Sequence, residues 1–183
     1  HALCIIQSNR HQTIAYIKSP LVLKNMMMAG TFHVTKSPFN HIRNIKMTAL
    51  QITAGRYSFD ARLERELAPR TCAAFEASMP FLGQIVHVRW SGEGVWIPLG
   101  DRDFGVDYEN HTSHPAPGQI ILYPGGISET EILIAYGGVD FSSKMGQLAG
   151  NHFITLTSDL DDLMLLGNLV LWEGAQDITF AYA

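Results

Sequence analysis

Short runs of alternating apolar and polar residues follow one another from residue 47 to the end of the chain. This two-residue period is typical of strands with one buried face. Residues 49–55 and 57–63 alternate in this way and meet at Gly55-Arg56, which predicts a β-hairpin. Further strands are predicted at 83–90, 94–98, 119–124, 130–137, 151–157, 169–174 and 176–182.

One helix is predicted between the hairpin and the next strand, at residues 68–79. Pro69 suits the first helical turn, the alanines that follow are strong helix formers, and Pro80 ends the segment. Cys72 falls in the middle of this helix, and we expect it to be a small buried side chain.

A second helix is predicted near the end of the chain, at residues 158–167. Ser158 or Asp159 is the expected N-cap, because short polar side chains accept hydrogen bonds from the first free N–H groups of a helix. Gly167 is the expected C-terminal end, because glycine readily adopts the conformation that terminates a helix.

These elements favour a mainly β fold. About eight short strands with two helices predict a closed, mostly antiparallel β-barrel whose ends are covered by the helices. Two long loops, 100–118 and 137–150, interrupt the strands, and loops of that length usually carry function. The sequence contains no glycine-rich phosphate loop and no nucleophile elbow, so neither nucleotide binding nor serine hydrolysis is indicated.

The charged residues divide the chain into two parts. Residues 1–46 contain six Lys and Arg residues and no acidic residue, a formal charge of +6. Residues 47–183 contain the other 7 of the 13 basic residues and all 17 acidic residues, a formal charge of −10. A domain with this charge is a poor partner for phosphate backbones and anionic membrane surfaces, so we expect neither nucleic acid nor a membrane as a partner.

The basic segment shows no clear helical or strand period. We interpret residues 1–46 as an N-terminal extension outside the native domain and residues 47–183 as the barrel domain. The alternative is a strand-bearing arm that makes contacts in a homo-oligomer. No apolar run reaches the ~18 residues of a membrane-spanning helix. Cys4 and Cys72 form no disulfide framework, so a reducing cytoplasmic location is expected.

Several motifs resemble those of known families. The stretches "APRTCAAFEASM" and "AGNHFITL" are similar to the helix-opening and Gly-Ser-Gln-Phe-Phe-Ile motifs of cyclophilins. Five blocks resemble a family of bacterial cyclophilin-like proteins of unknown function: "HVRWSGEGVWIPLGD", "YENHTSHPAPG", "YPGGISETEILIAYG", "SSKMGQLAGNHF" and "LWEGAQDI". The resemblance covers essentially all of 47–183 and implies a cyclophilin-like barrel, but a fold does not by itself determine a function.

The resemblance to cyclophilins implies two catalytic candidates. Arg89 takes the place of the catalytic arginine, and His152 falls near the active-site glutamine. The cyclophilin Gln-Gly-Gly-Asp run is not recognisable here. His152 alternates with Ile154, so we expect it on the apolar face of its strand, either as a buried hydrogen-bonded side chain or as a site residue. Glu93 is a third candidate, as a general base or as an ion-pair partner of Arg89.

Residues 87–96 predict one wall of a small-molecule site. By alternation His87 and Arg89 share a strand face. Trp90 and Trp96 flank the turn that follows, at residues 91–93. The planar guanidinium of Arg89 beside indoles suits a carboxylate or amide ligand. The other candidate binding residues are Tyr108, Glu109, His111, Tyr136, Lys144 and Asn151.

The loop at 100–118 carries a Glu-x-His-x-x-His pattern formed by Glu109, His111 and His114. Zinc ligands usually project from helices or strands, whereas this pattern lies in a loop flanked by proline and glycine. We therefore expect the loop to cover a pocket, and we expect neither a metal nor a cofactor.

Together these features favour a protein that binds or acts on a small carboxylate- or amide-bearing metabolite at a pocket on the barrel. The alternative is a peptide-binding or prolyl cis–trans isomerising module. No Ser-His-Asp order and no pair of catalytic carboxylates can be assigned, so the sequence leaves open whether the protein is an enzyme.

Overall fold

A computed structural model of the chain describes residues 2–8, 11–17, 49–158 and 160–183. The chain divides into two compact units, His1–Lys46 and Met47–Ala183. In the first unit, strand β1 (Ala2–Ser8) pairs antiparallel with strand β2 (His11–Ile17). This hairpin was not predicted from the sequence, because the apolar run 3–6 lacks the two-residue period of a half-buried strand. That residues 1–46 lie outside the native domain stays a prediction.

The second unit is a closed antiparallel barrel of eight strands, as the sequence predicted. In order around the barrel, the strands are β4 (Tyr57–Leu63), β3 (Leu50–Ala54), β13 (Gln176–Tyr182), β5 (Phe81–His87), β6 (Gly92–Pro98), β9 (Glu131–Val139), β8 (Gln119–Tyr123) and β12 (Gly150–Leu156). Strand β12 also pairs with β4, so the two ends of the sheet meet and leave no open edge between them.

The two long loops of the barrel domain contain short strands. In the first loop, β7 (His111–Thr112) pairs with β12. In the second loop, β10 (Ser142–Ser143) pairs with β11 (Gly146–Gln147). The β7–β12 pairing attaches the first loop to the barrel wall, whereas β10 and β11 form a separate two-stranded sheet within the second loop.

Helix α1 spans Pro69–Glu76 and begins at the predicted proline. Cys72 is fully buried in this helix, and its thiol donates a hydrogen bond to the carbonyl oxygen of Phe153 at 3.4 Å. Burial raises the pKa of the Cys72 thiol to about 12. The thiol is therefore protonated at neutral pH, and Cys72 is a core side chain, as expected.

Helix α2 spans Asp161–Glu173, and its N-terminus differs from the prediction. Leu160 occupies the N-cap position and makes no capping hydrogen bond through its side chain. Ser158 is therefore not the N-cap, and Asp159 lies outside the described residues. Acidic residues in the first turn complement the helix dipole in place of a side-chain cap.

The C-terminus of α2 also differs from the prediction. The helix continues through Gly167, and the segment 169–173, predicted as part of a strand, is helical. It ends before Gly174, whose φ of 92° is a conformation that glycine adopts easily. Gly167 has a packing role instead, since a Cβ atom added there would lie 2.5 Å from ring carbons of Tyr136.

Aromatic and branched side chains fill the barrel interior. The ring of Phe75 from α1 lies with its centroid 5.0–5.3 Å from the centroids of three other phenylalanine rings, those of Phe81, Phe153 and Phe180. Helix α2 buries Leu163, Leu166 and Val170 in the same core. None of the described helices is long and apolar enough to cross a membrane.

A second, smaller core lies on the outer face of β8 and β9. Alternation directs Ile132 and Ile134 into the barrel and leaves Leu133 and Ala135 on the outside. The segment after β9 covers these outward side chains, and Trp96 packs against them. We call this group the outer core; its buried members are Ile121, Tyr123, Leu133, Ala135, Val139, Phe141 and Leu148.

Replacement of Gly167 by alanine tests the close approach of α2 to β9. Glycine to alanine normally stabilises a helix by about 1 kcal/mol. Here we expect a loss of about 1–3 kcal/mol in the free energy of unfolding, because the new methyl group would overlap the Tyr136 ring. Urea denaturation measures the change, and the exposed Asn168→Ala in the same helix is the control. A Gly167→Ala variant as stable as the wild type would contradict the packing described above.

Candidate functional site

A cavity of about 310 Å³ lies beside the outer core, on the outside of the barrel wall. It is surrounded by the turn between β5 and β6, the start of β9 and the segment that contains β10. Two cations, two carboxylates and two indoles line it, together with serine hydroxyls: Arg89, Lys144, Glu129, Glu131, Trp90 and Trp96. Four of the candidates predicted from the sequence, Arg89, Trp90, Trp96 and Lys144, therefore meet at one place.

Arg89 and Trp90 reach the cavity because they lie in a turn. Strand β5 ends at His87, and β6 begins at Gly92, whose φ of 95° favours glycine. The strand alternation therefore does not extend to Arg89, and the predicted shared face of His87 and Arg89 is wrong. Both Arg89 and Trp90 are exposed.

Lys144 is held beside the same turn by a pair of serine hydrogen bonds. The Ser91 hydroxyl donates to the carbonyl oxygen of Ser142 at 3.1 Å, and the backbone N–H of Ser142 donates to the Ser91 hydroxyl at 3.1 Å. In the part of the chain that the structure describes, neither Arg89 nor Lys144 forms an ion pair or a side-chain hydrogen bond. Both cationic groups are therefore available to an anion in the cavity.

The indole of Trp96 forms an apolar wall. Trp96 pairs with Val86 on one side and with Leu133 on the other, and its partly buried ring packs on the outer core. Trp90 is 59% exposed at the mouth of the cavity. An aromatic surface next to charged groups combines apolar contact with partial exclusion of water.

Glu131 provides a buried carboxylate at the opposite side of the lining. It is only 8% exposed, and among the described residues it accepts no side-chain hydrogen bond. Burial, together with the nearby charge of Glu129, raises the pKa of Glu131 from 4.5 to about 7. The adjacent Glu129 is exposed and accepts a hydrogen bond from the backbone N–H of Gly100 at 3.0 Å. Glu131 can therefore bind or release a proton near neutral pH.

His87 and Tyr136 do not line this cavity but bond to each other. The Nε2 atom of His87 lies 2.7 Å from the Tyr136 hydroxyl, and its Nδ1 atom lies 2.8 Å from the carbonyl oxygen of Val88. Burial, and to a smaller extent the charge of Glu93, raises the pKa of Tyr136. This pair lies near helix α2, because the Tyr136 ring packs on Gly167.

Glu93 holds an irregular part of the β6–β9 ladder. Its Oε2 atom accepts a hydrogen bond from the backbone N–H of Gly138 at 2.7 Å. A Cβ atom at Gly137 would overlap this carboxylate, so glycine leaves the room that Glu93 occupies. The predicted ion pair between Glu93 and Arg89 is not formed; the Glu93 carboxylate binds the backbone instead.

A β-bulge in β12 changes the position expected for His152. The pairing with β8 shifts between His152 and Ile154, so Phe153 and Ile154 are both buried and His152 is half-buried on the other face. Its Nε2 atom lies 2.9 Å from the Thr155 hydroxyl, which donates in turn to the Glu64 carboxylate. Burial lowers the pKa of His152, which favours the neutral imidazole. The prediction that His152 shares the apolar face of Ile154 is wrong.

Glu109 and Asn151 anchor the first long loop to helix α1. The Glu109 carboxylate accepts the backbone N–H of Thr71 at 2.6 Å and the Arg70 guanidinium Nε at 3.3 Å. Asn151 is fully buried, donates to the Thr71 hydroxyl at 3.0 Å and to the carbonyl oxygen of Asp107 at 2.9 Å, and accepts the Glu109 N–H at 3.0 Å. Glu109 therefore caps the N-terminus of α1 from a distant part of the chain.

The remaining loop candidates lie at the surface. Tyr108 is exposed, and its ring centroid lies 5.4 Å from that of His111. His114 faces Asp140, with 3.7 Å between Nδ1 and Oδ1. None of these side chains lines the cavity, so the loop does not cover it. Within the described residues, no three His, Cys, Asp or Glu side chains are grouped as metal ligands.

Comparison with known proteins identifies the family. Residues 50–182 match the family described as Protein of unknown function (DUF3830). The chain belongs to the DUF3830 family. The match covers the barrel domain almost completely, and no curated protein matches the sequence.

Two solved structures resemble this DUF3830 domain. The structure of McbB in complex with tryptophan aligns with a TM-score of 0.57 and 15% sequence identity, over 73% of this chain and 44% of that chain. The chain thus spans less than half of McbB, and the likeness shows the fold alone. The solution structure of a hypothetical protein from Archaeoglobus fulgidus aligns with a TM-score of 0.47 and 15% identity, over 74% of this chain and 95% of that chain.

Glu131 of this DUF3830 domain was not among the site residues predicted from the sequence. The sequence does contain an indication of its position. Glu131 begins an almost continuous apolar strand and lies on the same strand face as Leu133, two residues later. A carboxylate at such a position must face either solvent or a partly buried pocket. Only the tertiary structure distinguishes the two, because the pocket forms from segments that are distant in sequence.

Replacement of Glu131 by glutamine tests its unusual burial. The native state holds the Glu131 proton more tightly than the unfolded chain, so stability falls as pH rises from about 4.5 to about 7. We therefore expect Glu131→Gln to raise the free energy of unfolding at pH 8 by up to about 3 kcal/mol and to change it far less at pH 4.5. Urea denaturation at both pH values measures the effect. The exposed Glu66→Gln should show no such dependence, and an equal effect of Glu131→Gln at both pH values would contradict the assignment.

Proposed function

We propose that this DUF3830 domain binds a small carboxylate- or amide-bearing molecule in the cavity beside the outer core. One observation carries the proposal. Arg89 and Lys144 lie together at a cavity walled by indoles, and neither has an ion-pair partner among the described residues. Surface cations without partners are common, but two of them at one concave, partly apolar site suit an anionic ligand.

Arg89 is the proposed principal ligand contact. Its guanidinium offers a planar fork of donors that matches both oxygens of a carboxylate. Lys144 adds a compact positive charge held nearby by the Ser91–Ser142 hydrogen bonds. A hydrogen bond to a charged group typically contributes about 1.5–3 kcal/mol, enough to position a small molecule.

The two indoles strengthen such a contact. Trp96 forms a partly buried wall, and Trp90 stands at the mouth of the cavity. A bound ligand would cover both rings and displace water, and ionic hydrogen bonds are stronger where water is excluded. Apolar contact and charge therefore act on the same ligand.

Glu131 makes chemistry on the ligand feasible as well as binding. With a pKa of about 7, its carboxyl group is partly protonated at neutral pH. Such a group can take a proton from a ligand or give one to it, as general acid–base catalysis requires. We propose Glu131 as the acid–base group if the domain proves to be an enzyme.

The fold and the sequence provide background support. The likeness to McbB, which was solved in complex with tryptophan, extends to the fold alone. The support for ligand binding therefore comes from the side chains that line the cavity. From the sequence we also propose a relationship to bacterial cyclophilin-like proteins, a cytoplasmic location, a homo-oligomeric assembly and a native domain that begins at Met47.

Peptide binding or prolyl isomerisation is the alternative function, and it rests on the resemblance to cyclophilins. Of the two residues matched to the cyclophilin active site, Arg89 lines the cavity, whereas His152 bonds to Thr155. A proline-peptide isomerisation assay tests the alternative. Turnover that disappears in an Arg89→Ala variant would reverse the order of the two proposals.

Replacement of Arg89 by lysine tests the proposed site, because it keeps the charge but removes the planar fork. The ligand is hexanoate, or the best binder among short carboxylates and amides. We expect its affinity to fall about tenfold or more, which corresponds to a loss of about 1.5–3 kcal/mol in binding free energy. Little change in melting temperature is expected, since Arg89 is exposed and has no ion-pair partner among the described residues. Isothermal titration calorimetry and thermal unfolding measure the two quantities.

Arg56→Lys is the matched control for this experiment. Arg56 is also exposed, but it bonds to the Tyr57 hydroxyl and does not line the cavity. Its substitution should leave hexanoate binding unchanged. Unchanged affinity in both Arg89→Lys and Arg89→Ala would remove Arg89 from the site.

A further inference from the structure

The carboxylates of the cavity lie at one end of the β6–β9 ladder. Glu131 pairs with Pro98 at this end, and Trp96 stands two residues further along β6. Glu129 lies beside the same end, because its carboxylate binds the N–H of Gly100. The negative charges of the lining are therefore grouped on one side of Trp96.

The cations lie toward the other end of the same ladder. The N–H of Val88 donates to the carbonyl oxygen of Gly94 at 3.1 Å, so the residue before Arg89 stands at the level of Gly94. The Ser91–Ser142 hydrogen bonds bring the segment of Lys144 to the same turn. Arg89 and Lys144 are therefore grouped on the far side of Trp96 from Glu131.

The separation of the two ends matches the size of a small molecule. Gly94 and Pro98 stand four positions apart along β6, which at a rise of about 3.3 Å per residue is about 13 Å of backbone. The charged residues at both ends line the cavity, and no direct ion pair joins them among the described residues. The cavity therefore has cations at one end, carboxylates at the other end and the Trp96 indole between them.

A simple anion would satisfy only half of this cavity. Above about pH 7, where Glu131 is ionised, such an anion would bind the cations but leave the buried Glu131 carboxylate without a partner, and an unpaired buried charge is unfavourable. A ligand that also brings a positively charged nitrogen would compensate both ends at once. Interactions of opposite sign at two separate points also discriminate against molecules that have only one of the charges.

Building on the function proposed above, we propose that the ligand is amphoteric, with a carboxylate bound by Arg89 and Lys144 and a cationic nitrogen bound by Glu131. An apolar linker between the two groups lies against Trp96. The ligand class is therefore an amino acid or short peptide-like molecule in which the two charges are several bonds apart.

A series of linear probes tests this inference on the full chain. At pH 8, isothermal titration calorimetry compares ω-amino carboxylates of about four to eight carbons, such as 6-aminohexanoate, with the alkyl carboxylate and alkylamine of equal length. We expect one length of amino carboxylate to bind about tenfold or more tightly than both single-charge probes. In the Glu131→Gln variant this advantage should disappear, while the affinity for hexanoate is kept. In the Arg89→Lys variant the affinity for both the amino carboxylates and the alkyl carboxylates should fall. Glu66→Gln is the control.

The outcomes separate this inference from the function on which it rests. If alkyl carboxylates bind as tightly as amino carboxylates at every length, the proposal of an amphoteric ligand is overturned, whereas the proposed carboxylate-binding site is retained. If neither class binds at any length, both are overturned. If the amino carboxylate keeps its advantage in a folded Glu131→Gln protein, judged by its circular dichroism, the role of Glu131 is overturned.

Discussion

Residues 61–63 of β4 pair with residues 154–156 of β12, and this antiparallel contact closes the sheet. Closure gives each of the eight strands two neighbours and gives every side chain an inner or an outer position. The inner positions form one core around Phe75, where four phenylalanine rings meet. The outer positions of β8 and β9 are apolar as well, so part of the barrel wall must be covered from outside.

The candidate site is a consequence of this outer cover. The segment after β9 packs Phe141 and Leu148 on the outer core and carries Lys144 to the cavity. The turn after β5 brings Arg89 to the same place. Glu131 remains at the border of the covered region, where burial disfavours its charged form. A carboxyl group with a raised pKa in a cavity is therefore a candidate functional group.

Several polar residues that look functional in the sequence serve the backbone instead. Glu93 accepts the N–H of Gly138 at an irregularity of β9, and Glu109 accepts an N–H at the start of α1. Asn151 binds three groups at the base of the first long loop. Buried backbone N–H and C=O groups need hydrogen-bond partners, because leaving one unpaired costs free energy. A carboxylate in a loop therefore predicts a catalytic group and a structural cap equally well.

The sequence by itself determined the mainly β class, both helices of the barrel domain, the closed antiparallel barrel and the buried Cys72. These features follow from local periods and from residues such as Pro69 that act on their own neighbours. Only the tertiary structure decided where polar side chains converge. The bulge in β12 places His152 on the outer face, and Gly167 lies within α2, where its lack of a side chain leaves room for the Tyr136 ring. The cavity itself joins the turn after β5, the start of β9 and the segment after β9, and a local pattern contains no information about contacts between such distant segments.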